Sequence, residues 1–139
     1  MEERPFLEED QRVEEDYLHS FMIKLKNLKS DFQFKRLLGQ KKINTDYFSV
    51  YFGKNFTKEG NNKLNISFIM KKKVGNSVVR NKIKRRLRAA IQKKLKNEKF
   101  IDINYSYIIF GKSKAFTEKY SIISDELDKT FFKINQINN

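Results

Sequence analysis

Residues 72–88 read KKVGNSVVRNKIKRRLR, and this stretch decides how the middle of the chain folds. The apolar residues that share about a quarter of a helical wheel are Val79, Ile83, Leu87 and Ala90, with Ile91 at the margin. The opposite side carries Asn81, Arg85 and Arg88, flanked by Lys82, Lys84 and Lys96. Asn76 or Ser77 is suited to cap the helix. The pattern predicts a helix to about Leu95 that packs by one face and presents cations on the other.

Shorter patterns flank this helix. Alternating apolar residues predict strands at 47–52, 64–70 and 105–110, and the helical period predicts helices at 30–38 and 118–134. The segment 53–63 is rich in Gly, Asn and Lys and is typical of a loop, so we expect the first two of these strands to form a hairpin. On the first strand, Tyr51 shares a face with Ser49, opposite the apolar side.

The charge is large and unevenly distributed. The 139 residues contain 30 Lys and Arg against 17 Asp and Glu, a net charge of +13. Residues 1–21 hold eight of the acids and two of the bases, which leaves 28 bases and nine acids, or +19, from Met22 onward. Such a field attracts polyanions, either nucleic acid or an anionic membrane surface. No apolar run approaches the length of a membrane span, and an acidic N-terminus is unlike a signal peptide, so we expect a cytoplasmic protein.

The composition also excludes several kinds of chemistry. The chain has no Cys, and its one histidine, His19, lies in the acidic segment. A thiol nucleophile, a cysteine-based zinc site and a histidine triad within the basic part are therefore excluded. The remaining acids form no clustered metal-ligand pattern, which argues against an autonomous nuclease.

The stretch between Gly60 and Asn97 contains no acidic residue. Its 13 cations are Lys63, Lys71, Lys72, Lys73, Arg80, Lys82, Lys84, Arg85, Arg86, Arg88, Lys93, Lys94 and Lys96. A solvated helix face normally mixes both signs, whereas cations at this density repel one another unless an anion neutralises them. Arg also suits bidentate phosphate contacts. We therefore predict a polyanion-binding surface.

The order of residues 72–88 resembles the signature of the bacterial ribonuclease P protein family, the RNR motif. This sequence departs from it at Lys82, which replaces the second Arg, at Ser77, which replaces a small Ala, and at Ala89, which replaces a common Glu. The resemblance extends from about Leu28 to Phe132.

The resemblance implies a single α/β (α+β) domain with a mixed sheet of about four strands and three helices. The fold would be like domain 2 of ribosomal protein S5, with a left-handed βαβ crossover. It further implies a subunit of ribonuclease P that assists 5′ maturation of tRNA and is not itself catalytic. The RNA subunit would carry the catalysis with its own Mg²⁺, so the protein would bind no cofactor. The implied partners are ribonuclease P RNA and precursor tRNA, with no membrane and no obligate protein partner.

The resemblance also implies two sets of binding residues. Those expected to contact the catalytic RNA are Lys72, Lys73, Arg80, Asn81, Lys82, Lys84, Arg85 and Arg88. Those expected to line a cleft for the single-stranded 5′ leader are Phe32, Phe34, Arg36 and Tyr51. Phe32 has an alternative place in the core, and Gly75 is either a turn glycine or a point of close approach to RNA. Arg36 replaces a family aromatic.

Two other functions use the same features: a ribosomal protein that binds structural rRNA, and a DNA-binding protein. The second would need a recognition helix free to enter a major groove, whereas this helix is anchored by its apolar face.

The acidic segment 1–21 is rich in charge and its few apolar residues are scattered, so we expect it to be disordered or a frayed helix. Its origin has two interpretations. In the one that we favour, Met22 is the true start of a domain spanning 22–139, because residues 22–28 resemble the short basic start of the family. In the other, the segment is native and folds back on the cationic face.

Overall fold

The computed structural model describes residues 24–28, 31–55, 63–97 and 101–138. The strands in these ranges are β1 Lys24–Lys26, β2 Lys41–Asn44, β3 Phe48–Lys54, β4 Lys63–Ile69 and β5 Tyr105–Gly111. The α-helices in the same ranges are α1 Asp31–Leu38, α2 Ser77–Asn97, α3 Lys114–Thr117 and α4 Tyr120–Asn138, and a 3-10 turn at Lys72–Val74 joins β4 to α2. The α/β class is confirmed. The sequence patterns did not predict β1, β2 or α3. These elements are only three or four residues long, too short to show a hydrophobic period.

The strands form one mixed sheet in the order β1-β4-β5-β3-β2. β4 is parallel to both β1 and β5, whereas β3 is antiparallel to β5 and β2. The expected hairpin between β3 and β4 is therefore wrong, because β5 lies between them. The Tyr107-Ile108-Ile109 run of β5 is fully buried, as expected for a central strand with both faces covered. β4, α2 and β5 form the expected βαβ unit. The left-handedness of its crossover stays a prediction.

One face of the sheet carries the main core. Phe48, Val50 and Phe52 of β3 are buried there with apolar residues of β4, α2 and α4. The rings of Tyr107 and Phe131 pack edge to face with centroids 5.2 Å apart. The Tyr107 hydroxyl donates a hydrogen bond of 2.9 Å to the carbonyl of Asp102. Burial raises the pKa of Tyr107 far above its ordinary value.

The other face is partly covered by α1. Leu37 is fully buried, and a Cβ placed on Gly53 would lie 3.0 Å from its Cδ1. The glycine therefore lets α1 approach one end of β3. Beside it, Asn55 Oδ1 accepts hydrogen bonds from Ser106 Oγ at 2.6 Å and Asn65 Nδ2 at 3.4 Å. Side-chain contacts thus close this end of the face, whereas Tyr51, two residues before Gly53 on the same face of β3, is only half-buried.

Two sequence expectations concern other parts of the molecule. Among the helices of the described ranges, none combines the length and apolar character that crossing a bilayer requires. The acidic segment 1–21, with His19, lies outside the described residues.

Candidate RNA interface

The start of α2 is fixed by a small set of local contacts. Asn76 Oδ1 accepts a hydrogen bond of 3.0 Å from the backbone N–H of Val79, which confirms Asn76 as the cap. Arg80 Nε donates to the carbonyl of Gly75 at 3.1 Å. A Cβ on Gly75 would lie 2.8 Å from Val79 Cγ1, so this turn accepts only glycine without movement. The exposed Lys72 and Lys73 therefore lie on a closely packed turn next to the helix.

The faces of α2 separate as the periodicity predicts. Ile83, Leu87, Ala90 and Ile91 are fully buried, whereas Val79, predicted for the same face, is half-buried against the core. The exposed polar residues of the helix include Asn81, Lys82, Lys84, Arg85, Lys93 and Lys96. Since the core anchors the opposite side, the helix presents these groups without any rearrangement.

Two cations of α2 are used inside the protein. The Arg86 guanidinium donates to the backbone carbonyls of Ala115 and Phe116, at 2.6 and 3.2 Å, and to that of Glu118. Lys94 is only 6% exposed, and its ammonium lies 2.7 Å from Asp128 Oδ1 and 3.0 Å from Ser124 Oγ. Arg86 and Lys94 therefore tie α2 to the segments that follow β5. The charge density of the sequence overstates the cations available to a ligand.

Three cations of the predicted RNA-binding set have a side chain in contact with the protein. Arg80 and Arg88 are half-buried, and the Arg88 guanidinium lies 5.6 Å from the centroid of the Phe68 ring. The Lys82 ammonium lies 4.6 Å from the centroid of the Phe116 ring but remains exposed. Cation–π contacts of this kind orient the charged group and leave part of it open. Lys84 and Arg85 are exposed on α2. Together with Asn81 on the same helix, and with Lys72 and Lys73 on the turn that precedes it, they form what we call the cationic face of α2.

The residues predicted for a leader cleft divide into two patches. Phe32 and Arg36 line a groove of about 480 Å³ together with Gln40, Lys54 and Asn55, at the end of the sheet face that α1 covers. Phe32 is 66% exposed, so the alternative that it belongs to the core is wrong. Phe34 is half-buried on α1 and does not line this groove.

Tyr51 lies three residues before Lys54 on β3, about 10 Å along the strand. Its ring packs edge to face on Phe110 of β5, with centroids 5.5 Å apart. Phe110 is not predicted from the sequence as a neighbour of Tyr51, because that contact depends on the register between β3 and β5. The only signal was its position as an aromatic residue at the end of a predicted strand.

Comparison with known proteins bears on the same features. A family model named Ribonuclease P matches residues 22–135. The chain belongs to the ribonuclease P protein family. It is 30% identical over 105 residues to the ribonuclease P protein component of Mesoplasma florum, a match that covers 75% of this chain and 90% of that protein.

The fold is similar to solved ribonuclease P proteins. The Staphylococcus aureus protein matches with a TM-score of 0.62 and 25% identity, over 81% of this chain and 97% of that chain. The Thermotoga maritima protein matches with a TM-score of 0.63 and 19% identity, over 78% of this chain and 96% of that chain. A ribonuclease P protein is part of an endoribonuclease that acts in tRNA 5′ processing, and its partner in the holoenzyme is an RNA.

Proposed function

We propose that this ribonuclease P protein binds the catalytic RNA of the enzyme through the cationic face of α2. The observation that carries the proposal is the division of one helix into a fully buried apolar side and a cationic side free of carboxylates. Phosphate contacts by such cations supply affinity without reading sequence, which suits a subunit that holds a folded RNA.

We further propose that the sheet face that carries Tyr51, together with the groove at Phe32, binds the 5′ leader of precursor tRNA. Unpaired bases stack on aromatic rings without strong sequence preference, and both Tyr51 and Phe32 offer accessible rings beside cations. In this proposal the hydrolysis and its Mg²⁺ belong to the RNA subunit, as the family resemblance implies. We further propose that the holoenzyme acts in the cytoplasm, as expected from the sequence.

The proposal is tested by reconstitution. The chain is combined with a bacterial ribonuclease P RNA and a precursor tRNA at low Mg²⁺, and release of the 5′ leader is followed. We expect the protein to accelerate leader release over the RNA alone, and a Lys129→Gln variant, altered at an exposed lysine on α4, to behave as wild type.

The competing function is structural RNA binding of the ribosomal kind. A protein that binds ribonuclease P RNA no better than an unrelated rRNA fragment, and leaves the rate of leader release unchanged, would contradict the proposal.

A further inference from the structure

Four side chains form a strip across one face of the sheet, the face on which α1 packs. Tyr51 is opposite Lys42 in the antiparallel pairing of β3 with β2, so both point to the same face. Tyr51 is also opposite Ile108 of β5, and Phe110 follows two residues later on the same side. Phe110 is level with Ile69 of β4, which puts Lys71, the second residue after Ile69, at the far end. We call Lys42, Tyr51, Phe110 and Lys71 the sheet strip.

The sheet strip alternates charge and aromatic surface in a regular order. The Lys42 ammonium lies 5.2 Å from the centroid of the Tyr51 ring, and the Lys71 ammonium lies 5.4 Å from that of Phe110. The two rings touch each other in the middle. Both lysines are exposed and both rings are half-buried, so each ring is supported by the sheet and retains accessible surface.

The composition of the sheet strip matches one kind of ligand. A single-stranded nucleic acid presents flat bases along a chain of phosphates, and proteins bind it with aromatic rings flanked by cations. The Tyr51–Phe110 pair is part of this arrangement only because β5 is inserted beside β3. Lys71 directly precedes the turn that carries Lys72 and Lys73. The sheet strip is therefore adjacent in sequence to the cationic face of α2.

We propose that Tyr51 and Phe110 form one stacking platform for unpaired bases of the leader, with Lys42 and Lys71 at the neighbouring phosphates. This inference rests on the proposed function and adds a binding residue, Phe110, that the family motif does not mark. It also gives the leader a path toward the turn lysines, next to the bound catalytic RNA. Leader binding therefore depends on Phe110 as well as on Tyr51.

The first test removes the second ring. Phe110→Leu is compared with Phe110→Tyr, which retains a ring, and with Phe132→Leu, which alters an aromatic residue that is 55% exposed on α4. Binding of the reconstituted holoenzyme is measured for a precursor tRNA with a leader and for mature tRNA without one. We expect Phe110→Leu to weaken precursor binding at least about five-fold, the lower end of the effect of one stacked base. Mature tRNA binding and the two control variants stay as in wild type.

The second test concerns the cations. Lys71→Gln should reduce the salt dependence of precursor binding, lowering the slope of log K against log salt by about 0.7 for one phosphate contact on a single strand. Lys129→Gln, also an exposed lysine, should leave the slope unchanged.

The outcomes separate this inference from the proposed function. If the wild-type holoenzyme binds precursor and mature tRNA equally, leader binding itself is wrong. If wild type prefers the precursor and Phe110→Leu retains that preference, only the role of Phe110 is overturned. Equal loss of both substrates by Phe110→Leu, or loss of binding by Phe110→Tyr, also overturns it, because the residue would then act through the fold.

Discussion

Two neighbouring arginines on α2 should respond in opposite ways to the same substitution. Arg85 is exposed on the cationic face, whereas the guanidinium of Arg86 is half-buried and bound to backbone carbonyls of α3 and the residue that follows it. We expect Arg85→Gln to weaken binding of ribonuclease P RNA without changing the stability of the protein. We expect Arg86→Gln to destabilise the protein while the salt dependence of RNA binding is retained.

The magnitudes follow from these contacts. Loss of one phosphate contact lowers the slope of log K against log salt by about 0.7–0.9. Arg86 donates three charge-assisted hydrogen bonds, to Ala115, Phe116 and Glu118. Replacing Arg86 leaves these part-buried carbonyls without their hydrogen-bond donor. We therefore expect a loss of about 2–4 kcal/mol in the free energy of unfolding.

Both quantities are measured on the same three proteins. Filter binding of ribonuclease P RNA across a salt series gives the slope for wild type, Arg85→Gln and Arg86→Gln. Urea unfolding gives the free energy of unfolding, and the m-value shows whether the transition stays two-state. RNA binding is measured well below the unfolding midpoint of the weaker variant, so that both variants are folded in the assay.

The reasoning would be refuted by an exchange of the two results. A flattened slope for Arg86→Gln at unchanged stability would mean that its carbonyl contacts open to receive a phosphate. An unchanged slope for Arg85→Gln would mean that the exposed side of α2 is not the RNA-binding surface.

Three further predictions address other parts of the molecule. Tyr51→Ala should weaken binding of a leader-bearing precursor by about 1–3 kcal/mol and spare mature tRNA, which gel-shift titration with the two RNAs would check; equal losses would make Tyr51 structural. If residues 1–21, which hold eight acids and two bases, are native and fold back on the cationic face, their deletion should tighten RNA binding most at low salt, where screening is weakest; equal affinities with and without the segment across a salt series would contradict this reading. Folded Tyr107 retains its proton because its pKa is raised, so its contribution to stability is complete below the ordinary tyrosine pKa of about 10 and is lost as pH rises above it. The free energy of unfolding of wild type, measured with urea, should therefore fall by up to about 1.4 kcal/mol per pH unit above that point. The free energy of unfolding of Tyr107→Phe should fall less steeply with pH.

The sequence alone was sufficient for the local features of this protein. The spacing of Ile83 and Leu87, the Asn76 cap and the acid-free run of cations predict the two-sided helix α2. These properties depend on contacts within a few residues, where helical geometry fixes which side chains are neighbours. The same order of residues also carried the family resemblance.

The tertiary structure decided how distant segments meet. The hairpin expected between β3 and β4 was wrong because β5 pairs with both, and strand order depends on nonlocal pairing that a single strand does not encode. The same insertion puts Phe110 beside Tyr51, while α1 directs Phe32 to a separate groove at the other end of the sheet face.

The clearest division between sequence and structure lies within the cations of α2. The sequence determined that the helix carries them, yet the partners of Arg86 and Lys94 lie about 30 residues further along the chain, on α3, on α4 and at Glu118 between these helices. Only the packing of those segments against α2 places carbonyls and a carboxylate within reach of the two side chains. A buried cation requires such partners, whereas Arg85 stays exposed, so the fold alone selects which charges remain accessible on the surface of α2.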